Sequence, residues 1–212
     1  MAVMTGLLAL WAVTAGWWGR HLDTALHEGG HALLTWAHGG RVKKVHIDRR
    51  DGGLTRFELG SMGRFGVFMI FFAGYVSPPL AGLTSASLLA AGNETSVFIL
   101  AVLALVALLL VDVNRFGIVV LLSSAAVLVG LERYAPGWFG RWCAFFLTWF
   151  LLLSGVRSVV VLRRVRRSGP SDSDADILAE ITHVPGFLWV FVFGAVSVFC
   201  LLKGARLLVA PG

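Results

Sequence analysis

Residues 138–160, WFGRWCAFFLTWFLLLSGVRSVV, form an apolar run interrupted only by Arg141 and Arg157. About 20 such residues cross the hydrocarbon of a bilayer as a helix, and this run is one of several. Comparable segments occupy 2–19, 22–38, 65–91, 96–111, 116–131 and 186–209, with 22–38 the least hydrophobic. No water reaches a backbone N–H or C=O in lipid, so such segments fold as helices. The chain is therefore expected to be an all-α polytopic membrane protein of six or seven transmembrane helices, a single domain over residues 1–212. Composition agrees: 57% of residues are hydrophobic and 14% charged, with mean hydropathy +0.80, outside the usual range of soluble domains. Residues 2–19 have no basic region before them and no small-residue cleavage site after them. They are read as a retained span and not as a signal peptide.

Two connections are more than short links. Between the second and third segments Val45 and Ile47 alternate with polar neighbours, Leu54, Phe57 and Leu59 punctuate a second run, and RDGG at 50–53 is a turn signal. This pattern predicts a short β-hairpin at the membrane surface, at about 41–59. Residues 161–184 begin as a basic loop, break at Gly169-Pro170, and then offer Ser and Asp caps to a short helix that ends before Pro185. Of the 18 Lys and Arg residues, all but Arg20, Arg133, Arg141, Lys203 and Arg206 fall on one side of the spans, together with the hairpin and the cluster Arg163, Arg164, Arg166 and Arg167. The positive-inside rule makes that side cytoplasmic, with the N-terminus on the same side. The net charge of +6 then belongs to topology. Basic residues that flank apolar spans and build no soluble face argue against nucleic-acid binding. Cys143 and Cys200 stand alone in separate apolar segments and are read as packing residues.

One stretch resists the apolar pattern: LDTALHEGGHALLTWAHGG, residues 22–40. Ionisable groups at membrane depth are costly, and they mark function by default. His27 and His31 are spaced i, i+4, which puts both imidazoles on one helix face one turn apart. That suits two nitrogen ligands of a tetrahedral Zn²⁺. Glu28, directly after the first histidine, is in the position of the general base that takes a proton from water in this motif. Gly29 and Gly30 are poor helix formers, and they open close approach either to a substrate backbone or to a neighbouring helix. The plainer alternative for the whole motif is a polar triad that hydrogen-bonds between helices.

A catalytic zinc wants a third protein ligand, with the fourth position left for water. His38 lies on nearly the same face as His31 but about 10 Å further along, and His21, His46 and His183 fall near the expected interfaces, where solvated histidines are ordinary. Asp112 at the end of the fourth segment, and Asp172, Asp174 and Asp176, all lie on the side predicted to be cytoplasmic. Geometry permits either place. Helix N-capping is the plain reading of the 172–176 group, and pairing with Arg115 that of Asp112.

HEGGHALLTWAHGGRV followed by a short hairpin, then AGYVSPPLAG, VNRFG and SDADILAEIT, resembles the site-2-protease group of intramembrane metalloproteases, and within it the small bacterial Peptidase M50B-like branch. The resemblance implies zinc at His27 and His31, one ion per chain, with Glu28 as base. GYVSPP stands where the larger group has Gly-Pro-x-x-Asn, and the Asn-x-x-Pro-x-x-x-Leu-Asp-Gly element that supplies its third ligand is lacking. The Ser-Asp-Ala element of the smaller branch reads Ser173-Asp174-Ala175 here, which makes Asp174 the expected third ligand, ahead of Asp112. The activity implied is zinc endopeptidase cleavage of membrane-protein substrates near the cytoplasmic face of a bacterial inner membrane. The hairpin would offer an edge to which an unwound substrate adds as a strand. The missing elements support an alternative, a catalytically inactive adaptor with a structural metal. A metal transporter is a third reading, and it would need polar residues along several spans.

Overall fold

The computed structural model of the chain describes residues 1–15, 17–48, 52–58, 62–109, 113–167 and 173–209, with backbone alone for 17–20, 41–48 and 52–58. In chain order the elements are α1 (Ala2–Ala15), α2 (Trp17–Ala37), β1 (Arg41–Asp48), β2 (Gly52–Glu58), α3 (Arg64–Ala90), α4 (Glu94–Leu109), α5 (Arg115–Tyr134), α6 (Gly137–Arg167), α7 (Asp174–Thr182) and α8 (Gly186–Val209). α3 is central and packs against α2, α6 and α8, while α1 lies on α6 and α4 on α5.

Among the described residues four helices, not six or seven, are long and apolar enough to cross a membrane: α3, α5, α6 and α8. They make this an integral membrane protein. The other helices fall outside that count for different reasons. α1 and α4 are strongly apolar but have only 14 and 16 residues, about 21–24 Å of helix against a hydrocarbon core of about 30 Å. α2 is long enough at 21 residues, but its polar side chains lower its hydropathy. Large apolar side chains stand outward along the bundle, including Leu103, Phe191 and Leu202, as lipid-facing surfaces require.

β1 and β2 pair antiparallel, from Arg41 opposite Glu58 to Asp48 opposite Gly52, with a register irregularity between Val42 and Lys44. This two-stranded unit packs on α2, and β1 also meets α5. Of the expected turn at 50–53, residues 50 and 51 lie outside the described residues, and Gly52 and Gly53 open β2.

The basic segment expected to open a loop at 161 is instead the end of a helix, since α6 continues to Arg167. Arginines in a last turn are favoured by the helix dipole. Arg157, counted in the sequence with the surface charges, lies inside α6. The short α7 is rooted by Ala175 and Leu178, both fully buried in a cluster with Val76, Val159, Leu162 and Phe193. Burying one such leucine contributes about 1.5–3 kcal/mol, enough to seat a helix too short to stand alone. Cys200 is buried, Cys143 half-buried, and both are free thiols.

Candidate metal centre

α2 carries a polar stripe at i, i+4 spacing: Asp23, His27, His31 and Thr35. At this spacing four side chains share one face, and that face is turned inward. Asp23, His31 and Thr35 are 6%, 4% and 0% exposed. The Thr35 hydroxyl donates back to the His31 carbonyl at 2.7 Å, so the hydroxyl buried beneath the histidine is satisfied.

The His31 ring is fixed from behind. Its Nδ1–H donates to the Ile70 carbonyl of α3 at 2.9 Å, which leaves the Nε2 lone pair directed into the site. His31 Nε2 lies 3.3 Å from His27 Nε2 and 3.1 Å from Asp174 Oδ2, and His27 Nε2 lies 3.4 Å from the same oxygen. Asp174 Oδ2 is buried and, among the described residues, meets only the two imidazole nitrogens.

Two imidazole nitrogens and a carboxylate oxygen converge on one point, an arrangement that could hold a cation. Ligand atoms about 2.0–2.2 Å from a tetrahedral zinc lie roughly 3.3–3.6 Å from one another, and the observed edges of 3.1, 3.3 and 3.4 Å fit that figure. The donor set of two imidazoles and one carboxylate also suits zinc, and it leaves a fourth position. These three form the group of potential metal ligands among the described residues.

Asp174 reaches the histidines because both ends of α7 are held. At the start, Ser173 is the N-cap in a reciprocal capping box with Asp176. Ser173 N–H and Oγ donate to Asp176 Oδ2 at 3.2 and 2.6 Å, while Arg166 of α6 donates to Ser173 Oγ at 3.1 Å and pairs with Asp176. At the end, Trp189 Nε1 donates to Thr182 Oγ1 at 3.2 Å, and Arg64 donates to the Ile181 carbonyl. Capping thus accounts for Asp176 and not for Asp174, whose carboxylate turns toward α2. Asp112 and Asp172 lie outside the described residues.

α3 supplies the other wall. A Cβ on Gly74 would sit 2.5 Å from His31 Nε2 and 2.8 Å from His27 Cε1, so only glycine leaves room for the two rings. Tyr75 packs edge-on to His27 at 4.5 Å and Phe71 to His31 at 5.9 Å, which keeps the rings in a dry, aromatic setting. Gly29 and Gly30 serve helix packing: a Cβ would meet the Leu108 side chain of α4 in the first case and the Ala73 carbonyl of α3 in the second. Glu28 is 6% exposed.

Sequence reasoning missed Asp23. Its carboxylate accepts from Arg157 at 3.1 Å and from Ser158 Oγ at 2.9 Å, which ties α2 to α6 one turn before His27. The signal was available: a carboxylate four residues ahead of the first histidine and an arginine within an apolar run. Nor is His21 a solvated interfacial histidine. It is fully buried, edge-on to Phe116 at 5.2 Å. His38 and His183 are exposed, and the side chain of His46 lies outside the described residues.

The profile of the Peptidase M50B-like family matches residues 1–204. The chain belongs to that family. The match takes in α2, α3 and α7 and therefore every residue of the His27–His31–Asp174 group. No curated protein and no solved structure matches the chain.

Proposed function

We propose that this Peptidase M50B-like protein is an intramembrane zinc endopeptidase. Its substrates are membrane proteins cleaved near the cytoplasmic face of a bacterial inner membrane, with the N-terminus on that side, and the unit that acts is the single domain over residues 1–212. The convergence of His27 Nε2, His31 Nε2 and Asp174 Oδ2 at zinc-ligand spacing carries this reading, within a membrane-embedded member of a peptidase family.

In this reading His27, His31 and Asp174 hold the ion. Zinc, when bound, acts as a Lewis acid that acidifies water and polarises a peptide carbonyl. Glu28 accepts the proton that the attacking water loses as the C–O bond forms, and hands it to the amide nitrogen as the C–N bond breaks. The Ile70 carbonyl holds His31 in the tautomer whose Nε2 is free to bind. Gly74, Tyr75 and Phe71 exclude bulk water around the rings. A substrate helix satisfies its own peptide groups and must unwind before attack; an extended segment added alongside β1 or β2 would remain hydrogen-bonded while exposed to the site.

Glu28→Gln tests this reading on purified protein with a model transmembrane peptide carrying a fluorophore and quencher. The zinc content is expected to stay at one per chain while turnover falls about 10²–10⁴-fold. Undiminished cleavage by this variant overturns the mechanism.

A further inference from the structure

At the far end of α6 from its N-terminus lies a groove unrelated to the histidines. It is about 710 Å³ in volume and runs between α6 and α8. Val159, Val190, Phe191, Gly194 and Val198 line it, and Arg163, Arg166 and Arg167 stand along it. Its apolar part belongs to the lipid-facing surface, since Phe191 is 72% and Val198 46% exposed on a helix long and apolar enough to span a bilayer.

The three arginines are not equivalent. Arg166 is engaged with Ser173 and Asp176. Arg163 and Arg167 are exposed, and among the described residues neither meets a carboxylate. Two uncompensated guanidinium groups at the head of an apolar channel are complementary to an amphiphile with an anionic head. Arginine matches phosphate oxygens in bidentate geometry, and an aliphatic chain fills a groove of valine, phenylalanine and glycine. Charges that served topology alone would need no channel beside them.

We propose that this groove binds an anionic phospholipid of the surrounding bilayer, with the phosphate on Arg163 and Arg167 and one acyl chain along Val159, Val190 and Gly194. The bound headgroup then lies against Arg166, the residue that joins α6 to the N-cap of α7. The proposal does not depend on the peptidase reading, because neither arginine touches the metal centre.

The test uses the full chain in phosphatidylcholine nanodiscs containing a minor fraction of phosphatidylglycerol, with retained lipids counted by native mass spectrometry after detergent extraction. Wild type is expected to retain phosphatidylglycerol well above its share of the bilayer. R163Q/R167Q is expected to lose that enrichment by about fivefold per arginine. Gly194→Leu is an independent variant: a Cβ there meets only Val159, at 3.6 Å, so the added side chain fills the groove and leaves the arginines in place. It should lose the retained lipid, and soluble glycerol phosphate should fail to displace lipid from wild type. Retention of phosphatidylglycerol by wild type at no more than its share of the bilayer, or enrichment unchanged in R163Q/R167Q, overturns the proposal. So does displacement by glycerol phosphate together with full retention in Gly194→Leu, which would mark a free-phosphate site.

Discussion

Two clusters of ionisable groups lie one turn apart on the same face of α2, and they are built on opposite principles. Asp23 meets a cation and a hydroxyl, Arg157 and Ser158 of α6, so its charge is balanced by the chain itself. His27 and His31 meet a carboxylate, and the outer nitrogen of His31 is already committed to Ile70, so the inner nitrogens of both rings and one carboxylate oxygen face one another. Both clusters are buried, and both would be flagged by the cost of charge in lipid. Charge balance separates them: the first is a closed strut between helices, whereas the second gathers two imidazoles and a carboxylate with no cationic side chain of the described residues, and the proposed zinc would complete it.

The sharpest way to break this contrast is to treat the two aspartates alike. Asp174→Asn removes the anionic ligand and should lower zinc from about one per chain to near zero, with activity lost to the same extent. Asp23→Asn should leave zinc content near that of wild type and instead lower stability by at least about 2 kcal/mol, since it strands the largely buried Arg157 without its anion. Elemental analysis and thermal unfolding of the two variants, prepared identically, read both effects. Loss of zinc in Asp23→Asn would show that the strut and the metal centre are one unit.

A smaller effect probes the open cluster alone. Gly74→Ala places a methyl 2.5 Å from His31 Nε2, on the face where the lone pairs converge. The rings can yield only by leaving the Ile70 carbonyl, and disrupting a ligand's outer partner typically costs about 10–100-fold in metal affinity. Competition against a zinc-buffering chelator should show that loss. Unaltered affinity would mean that α3 does not set the position of the rings.

How much of this was legible in the chain follows from how local each signal is. His27 and His31 are four residues apart on one helix, so their convergence is dictated by helical geometry and needs no knowledge of the fold. The hairpin strands followed from a period of two. Asp174 was singled out from Asp172 and Asp176 only by resemblance, because its direction is set by distant packing: Leu178 in the α3–α6–α8 cluster and Arg166 on Ser173. The partner of Arg157 was hidden for a related reason. A charge in an apolar run reads as a span end unless its partner is known, and Asp23 lies far away in sequence. Run length in the sequence measures hydrophobicity, whereas the four helices counted as spans among the described residues also meet a length requirement.

The mildest perturbation acts on the frame that carries Asp174 and leaves every ligand in place. Ser173→Ala deletes the hydroxyl that donates to Asp176 and accepts from Arg166, while the Arg166–Asp176 pair remains. Loss of such a cap costs about 1 kcal/mol, a sizeable fraction of what holds a helix of 9 residues in place. The carboxylate would then sample positions away from the imidazoles, and zinc affinity should fall about fivefold to tenfold. Adding Arg166→Gln should deepen the loss, since it takes away the second tie between α6 and α7. The strut at Asp23 lies outside this frame and should not respond, so unfolding of the metal-free protein should change by no more than the cap itself. A loss as large as that of Asp174→Asn would instead mean that the cap serine is part of the centre, and the division between the two clusters would have to be redrawn around α7.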